Sequence, residues 1–171
     1  AVMHLFYARF FAKALRDMGL INFSEPFTRL FNQGTIICDH QKMSKSRGNV
    51  VNPDQYVSDL GADTVRAYLM FIGPFTRGGD WQDTGMQGIW RFLNRLWKTV
   101  SDSDLQKNTN EKILVLKQKT IKSVTEDLEN LRYNTAISGL MEYLNALEDG
   151  ENKNKEDLET LLLLLSPFAP Y

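Results

Sequence analysis

From Thr84 onward the chain holds only helical apolar periods, and this restricts its possible folds more than any other feature. Thr84 and Gln87 stand at capping-box spacing, and Ile89, Leu93, Leu96 and Val100 fall on one face of a long helix running through Val100. The polar stretches Asn108-Thr109-Asn110 and Asp149 to Lys155 read as connections between further helices. Three or four such helices predict an antiparallel bundle. Leu161 to Leu165 is apolar all round, as in a helix buried inside a bundle.

Upstream the pattern changes. Met3, Tyr7, Phe10 and Ala14 follow helical spacing, as do His4, Phe11, Leu15 and Met18, with Arg9, Lys13 and Arg16 on the wet side and Gly19 as the stop. Ile21 to Gln33, with Pro26 inside it, reads as loop and short helix. Thr35-Ile36-Ile37-Cys38 has the β-branched character of a short buried strand, and the polar run Asp39 to Asn49 reads as a loop. Asn52 then caps a short helix with Pro53 at its first position. Gly61 breaks that helix, and Ala62 to Ile72 forms another with Val65, Leu69 and Ile72 on one face. Thr76 to Asp80, with two adjacent glycines, predicts an irregular joint. The boundary therefore falls between Pro74 and Asp83, giving residues 1–78 and 79–171 as two domains. The expected fold is mainly α, with one strand in a remnant too small to close a sheet.

The 171 residues are 43% hydrophobic, enough to bury a core, which excludes disorder throughout. A formal net charge of -1 removes bulk attraction to polyanions as an argument. The single cysteine, Cys38, precludes an internal disulfide and a multi-cysteine zinc site, and Cys38 with His40 lacks further metal-ligand partners at useful spacing. No apolar run reaches the roughly 20 residues that span a bilayer, and no basic leader precedes an apolar stretch. These features predict a cytoplasmic protein without a membrane partner. Both ends are apolar, which predicts a piece of a longer chain.

The residues richest in chemistry are Lys42-Met43-Ser44-Lys45-Ser46, followed by Arg47-Gly48-Asn49, between the strand and the capped helix. Two ammonium groups alternate with two hydroxyls, and Arg47 adds a forked donor, so the segment is a candidate polyphosphate site. In such a site Lys42 and Lys45 stabilise charge developing on a leaving pyrophosphate. A solvated basic loop is the plain alternative.

The segment resembles the KMSKS signature of class I aminoacyl-tRNA synthetases and follows a strand as it does there. His4-Leu5-Phe6-Tyr7-Ala8-Arg9-Phe10, Gly48-Asn49-Val50-Val51-Asn52-Pro53-Asp54 and Gly61-Ala62-Asp63-Thr64-Val65-Arg66 resemble the leucyl-tRNA synthetases in particular. Asp80-Trp81-Gln82-Asp83, Arg91-Phe92-Leu93-Asn94-Arg95-Leu96-Trp97, Tyr133-Asn134-Thr135-Ala136-Ile137 and Ser166-Pro167-Phe168-Ala169-Pro170 extend the likeness over essentially the whole chain. The resemblance implies the end of a Rossmann-like catalytic core followed by part of an anticodon-binding helical bundle. It implies leucine activation with ATP, accompanied by Mg2+ and with no permanent cofactor, then transfer to tRNA(Leu). Lys45 corresponds to the principal phosphate ligand, with Lys42 and Ser44 holding the loop and Met43 and Ser46 completing the ATP-binding signature. His4 matches a histidine near the amino-acid pocket. The family's HIGH signature and editing domain are absent from this sequence, so the chain is expected to be inactive without a missing N-terminal half, and its signature loop to be mobile. The segment before the signature is short beside relatives with an inserted module, and Gln118 stands where a histidine is expected.

Arg91, Arg95 and Lys98 form a basic stripe opposite the apolar face of the long helix. A solvated face accounts for it; the resemblance adds tRNA phosphate contacts. Trp81, Trp90 and Trp97 are assigned to packing, and Cys38 to the core. Two other readings stay open: a valyl, isoleucyl or methionyl relative, and a non-catalytic helical tRNA-binding module.

Overall fold

The computed structural model describes residues 2–101, 111–149 and 154–171. They divide into two compact units, Ala1–Asn32 and Gln33–Tyr171. The expected connection at 108–110 lies outside the described residues, as do residues 150–153 of the second connection.

In the first unit α1 spans Val2–Asp17, as the spacing predicts, but of its residues only Ala12 is buried. Arg9 ties the helix to the following segment: Nε and Nη2 donate to the Glu25 carboxylate at 2.7 and 2.9 Å. The short helix expected between Ile21 and Gln33 does not form. Pro26 removes a backbone donor and biases Glu25 away from helical geometry.

The second unit opens with β1 (Thr35–Cys38), which pairs antiparallel with β2 (Gln41–Lys42) and parallel with β3 (Gly78–Trp81), in the order β2-β1-β3. Between β1 and β3 run α2 (Pro53–Leu60) and α3 (Ala62–Phe71). Asn52 caps α2 as its sequence position predicts, its Oδ1 accepting from Asp54 N–H at 3.1 Å.

The sheet corrects the expectation of one strand and an irregular joint. Gly78 and Gly79 read as turn residues, yet they belong to β3. Gly78 has φ +73°, and a Cβ there would lie 2.2 Å from the Thr35 carbonyl oxygen. Glycine is required at this point by close backbone approach, which the sequence cannot distinguish from a turn. The expected division at 78/79 falls inside this strand.

Four bundle helices follow: α4 (Asp83–Ser101), α5 (Glu111–Glu129), α6 (Tyr133–Asp149) and α7 (Lys155–Leu165). Their core includes Ile89, Phe92, Ile137, Leu140, Leu144 and Leu161, and Val65 and Tyr68 of α3 belong to the same cluster. On α3 the buried face is Thr64, Val65, Ala67 and Tyr68, whereas Leu69 is 40% exposed. Tyr68 sets this rotation, because its hydroxyl both accepts from Gln82 N–H at 2.7 Å and donates to Gln82 O at 3.0 Å. Helix α7 is not buried all round, as its apolar run predicts: Leu161 and Leu165 are buried but Leu163 is 73% exposed. Between α5 and α7, Lys117 Nζ lies 2.8 Å from Asp157 Oδ1 and 3.0 Å from Glu156 Oε1, with the Lys117 and Asp157 side chains both buried.

Candidate functional site

The basic segment begins on a tight hairpin. The register pairs Cys38 with Gln41, so Asp39 and His40 alone make the turn, with φ +53° and +59°. Two consecutive positive φ values are the mark of a type I′ turn, a conformation more readily taken by Asn-Gly or Asp-Gly. Asp80 of β3 holds the turn down: His40 N–H donates to its Oδ2 at 3.2 Å, and His40 Nδ1 stands 2.6 Å from the same oxygen.

Beyond β2 the chain makes a single 3-10 turn over Lys45–Arg47, with extended Ser44 before it and left-handed Gly48 after it. Asn49 then reaches back across the loop. Its Oδ1 accepts from Ser44 N–H at 2.9 Å, while Nδ2 lies 3.4 Å from Lys42 O and 3.5 Å from Cys38 O. Ser44 and Ser46 hydroxyls are 2.9 Å apart, and Arg47 donates to Gln41 Oε1 at 3.3 Å. These contacts form an internal network across the loop.

Lys42, Lys45, Ser46 and Arg47 are exposed, whereas Met43 and Ser44 are half-buried. Three cationic side chains and two hydroxyls therefore stand on a short loop whose backbone groups are engaged from behind. Such a surface can receive an anion with several oxygens. Cys38 is half-buried beneath it, not fully in the core as expected. Burial and the nearby Asp39 and Asp80 carboxylates push its thiol up, so it stays protonated and is no nucleophile at neutral pH. Among the described residues, no three His, Cys, Asp or Glu side chains are grouped to hold a metal ion.

Trp81, one residue beyond Asp80, joins the sheet to the bundle. Its ring packs edge-on against Tyr56 and Tyr68, each centroid 5.1 Å away. Tyr56 OH and Trp81 Nε1 both donate to Asp83 Oδ1, at 2.7 and 3.1 Å. Trp81 is a packing residue as expected. Trp90 and Trp97 are not, being 40% and 76% exposed on α4.

The other predicted site residues are spread more widely. His4 belongs to the first unit, where it is exposed and its ring lies 5.9 Å from that of Phe27. Arg91 and Lys98 are exposed on α4. Arg95, between them, turns its guanidinium to α6 and binds Asn145 Oδ1 at 2.7 Å together with the Glu148 carboxylate. Sequence reasoning did not find the structural parts of Asn49 and of the His40–Asp80 pair. The only signal was the short polar interval between Cys38 and Lys42, which suits a two-residue turn.

Comparison with known proteins gives this geometry a context. Residues 8–82 match the family described as tRNA synthetases class I (I, L, M and V), and residues 110–171 match the anticodon-binding domain of tRNA ligase. A leucine–tRNA ligase of Dehalococcoides mccartyi is 50% identical over 183 aligned positions, covering 100% of this chain and 22% of its own length. The leucine–tRNA ligases of Herpetosiphon aurantiacus and Chlorobaculum parvum are 48% and 49% identical, again over 100% of this chain and 22% of theirs. An Agrobacterium radiobacter LeuRS, crystallised in ternary complex with tRNA and LeuAMS, superposes with a TM-score of 0.85 at 35% identity. That match covers 98% of this chain and 24% of the LeuRS chain. The chain thus spans less than a quarter of the length of these relatives.

Proposed function

Because this chain belongs to the leucine–tRNA ligase family of class I tRNA synthetases, we propose that it supplies the phosphate-side half of the leucine-activation site and part of the tRNA-binding bundle. The observation that carries this reading is the pair of exposed ammonium groups, Lys42 and Lys45, on a loop held from behind by Asn49. In the reaction a leucine carboxylate oxygen attacks the α-phosphorus of ATP, the bond to the β-phosphate oxygen breaks, and pyrophosphate leaves with the added charge. Lys45 stabilises that charge most directly, Lys42 flanks it, and the Ser44 and Ser46 hydroxyls add donors around the phosphates. Mg2+ enters with ATP as part of the substrate. Leucyl-adenylate then passes its leucyl group to the terminal ribose of tRNA(Leu).

His4 is assigned to shaping the amino-acid side, and the passage from catalytic core to bundle to residues 74–83. Arg91 and Lys98 are offered as tRNA phosphate contacts, with Arg95 supporting the same face through α6. A cytoplasmic setting is proposed from the family likeness. Among the described residues no helix is long and apolar enough to cross a membrane. The test is amino-acid-dependent exchange of pyrophosphate into ATP, with the remaining length of the relatives supplied as a second chain. Leucine alone should drive exchange. Exchange driven by valine, isoleucine or methionine instead would reassign the substrate, and none with any amino acid, despite association of the two chains, would leave a non-catalytic tRNA-binding module.

A further inference from the structure

We infer that Glu25 is a positioning residue, which stations Phe27 against the His4 ring and so sets how the imidazole is presented to the leucine side chain. This deepens the proposed function and rests on it for the placing of His4 on the amino-acid side. Leu5, Arg9 and Lys13 recur every four residues along one stripe of α1, and the segment after the helix is tied to that stripe through one carboxylate. Arg9 grips both Glu25 oxygens, at 2.7 and 2.9 Å, and Lys13 Nζ lies 3.6 Å from Oε1. Two residues further on, the Phe27 ring lies 5.9 Å from that of His4, at an interplanar angle of 39°. The spacings match, because two residues of chain span at most about 7 Å and the five steps from Arg9 back to His4 rise about 7.5 Å along the helix. Pro26 stands between them with its φ fixed by the ring, and it biases Glu25 toward extended geometry, so carboxylate and aromatic ring move together.

Burial does not hold Phe27 in this place. The residue is 47% exposed, and a cleft of about 250 Å3 lined by Leu5, Arg9, Glu25, Phe27 and Arg29 opens between the segment and the helix. Exposed ion pairs ordinarily contribute little, but a fork that fills both carboxylate oxygens, backed by a second cation, fixes direction as well as distance. His4 is itself exposed on α1, where the helical backbone leaves its side chain two main rotamers. The Phe27 ring, at a separation that suits aromatic pairs, favours one of them.

The 171-residue chain has two histidines, His4 and His40, so its imidazole proton NMR carries its own control. Phe27→Leu should remove the ring-current shift of the His4 resonances. Glu25→Gln should move them roughly half as far or more in the same direction, with His40 unmoved. His4 resonances that ignore Glu25→Gln would overturn the proposal, as would equal movement of His40, which signals a general change. In the reconstituted synthetase, Glu25→Gln should raise KM for leucine about fivefold in pyrophosphate exchange and leave kcat and KM for ATP within about twofold. On a Phe27→Leu background the same substitution should add almost nothing, because Glu25 acts through that ring. Full additivity, or a loss confined to kcat, would overturn the positioning role. If the His4 resonances move as expected while His4→Ala leaves KM for leucine unaltered, the positioning stands and the assignment of His4 to the amino-acid side fails instead.

Discussion

At the scale of single residues, the difference between Lys45 and Arg95 shows why a cation's sequence neighbourhood does not fix its job. Both stand in basic patterns, but Lys45 is exposed on a loop whereas Arg95 is matched to Glu148 and Asn145 of the neighbouring helix. The signature residues were legible in sequence because they are contiguous. Asn49 carries a hydrogen-bond pattern visible only once β1 and β2 pair, and Asp80 meets His40 across 40 positions, a separation that no local period encodes. Across α1 and its following segment the same kind of long reach joins Arg9 and Glu25. The Arg9 hydrogen bond holds the Glu25 carboxyl down to about 2, against an ordinary 4.5. A carboxyl depressed by folding contributes stability that is present above its ordinary value and is lost as pH falls through the folded one. We expect a Glu25 titration midpoint near 2 by NMR, returning toward 4.5 in Arg9→Gln. A midpoint already near 4.5 in the unsubstituted protein would mean that the pair does not persist in solution.

At the scale of elements, helices were read well and the sheet poorly. Asn52, Pro53 and Gly61 bound α2 by local chemistry, so its limits were accessible from sequence. Strand β3 has only four residues, two of them glycine, and owes its existence to β1, which lies some 40 positions earlier. Trp90, Trp97 and Leu163 are exposed because an apolar period identifies a face without saying how much of it a neighbour covers. The link between α5 and α7 makes a sharper prediction. Burial alone would lower the Lys117 ammonium, but its bonds to Asp157 and Glu156 outweigh this and raise it. Lys117→Met would leave Asp157, only 1% exposed, without that cation, and should cost about 3–5 kcal/mol in chemical denaturation. Replacing Asp157 by Leu as well should recover most of the loss. A cost below about 1 kcal/mol for the single change would show that the pair contributes little.

At the scale of the whole molecule, α3 and the bundle helices of the second unit share one core. Val65 and Tyr68 of α3 lie in the same cluster as α4 and α6, and Trp81 bridges Tyr56 and Tyr68 at the joint. The sequence places a boundary between Pro74 and Asp83, and residues on both sides of it, Val65 and Tyr68 before and Ile89 and Ile137 after, share one core. If the bundle meets tRNA along α4, Arg91→Glu with Lys98→Glu should weaken binding and flatten its dependence on salt. The slope of log affinity against log salt should fall by about one for each phosphate that the variant no longer neutralises. An unchanged slope would take those residues out of the interface. The central claim is that Lys45 acts on the leaving pyrophosphate, and its most direct test is leucine-dependent pyrophosphate exchange by the reconstituted enzyme with Lys45 or with Lys45→Ala. The account predicts a fall in kcat of about a hundredfold or more with KM for leucine little changed, as expected for an interaction strongest in the transition state. Equal kcat in the two proteins would contradict it.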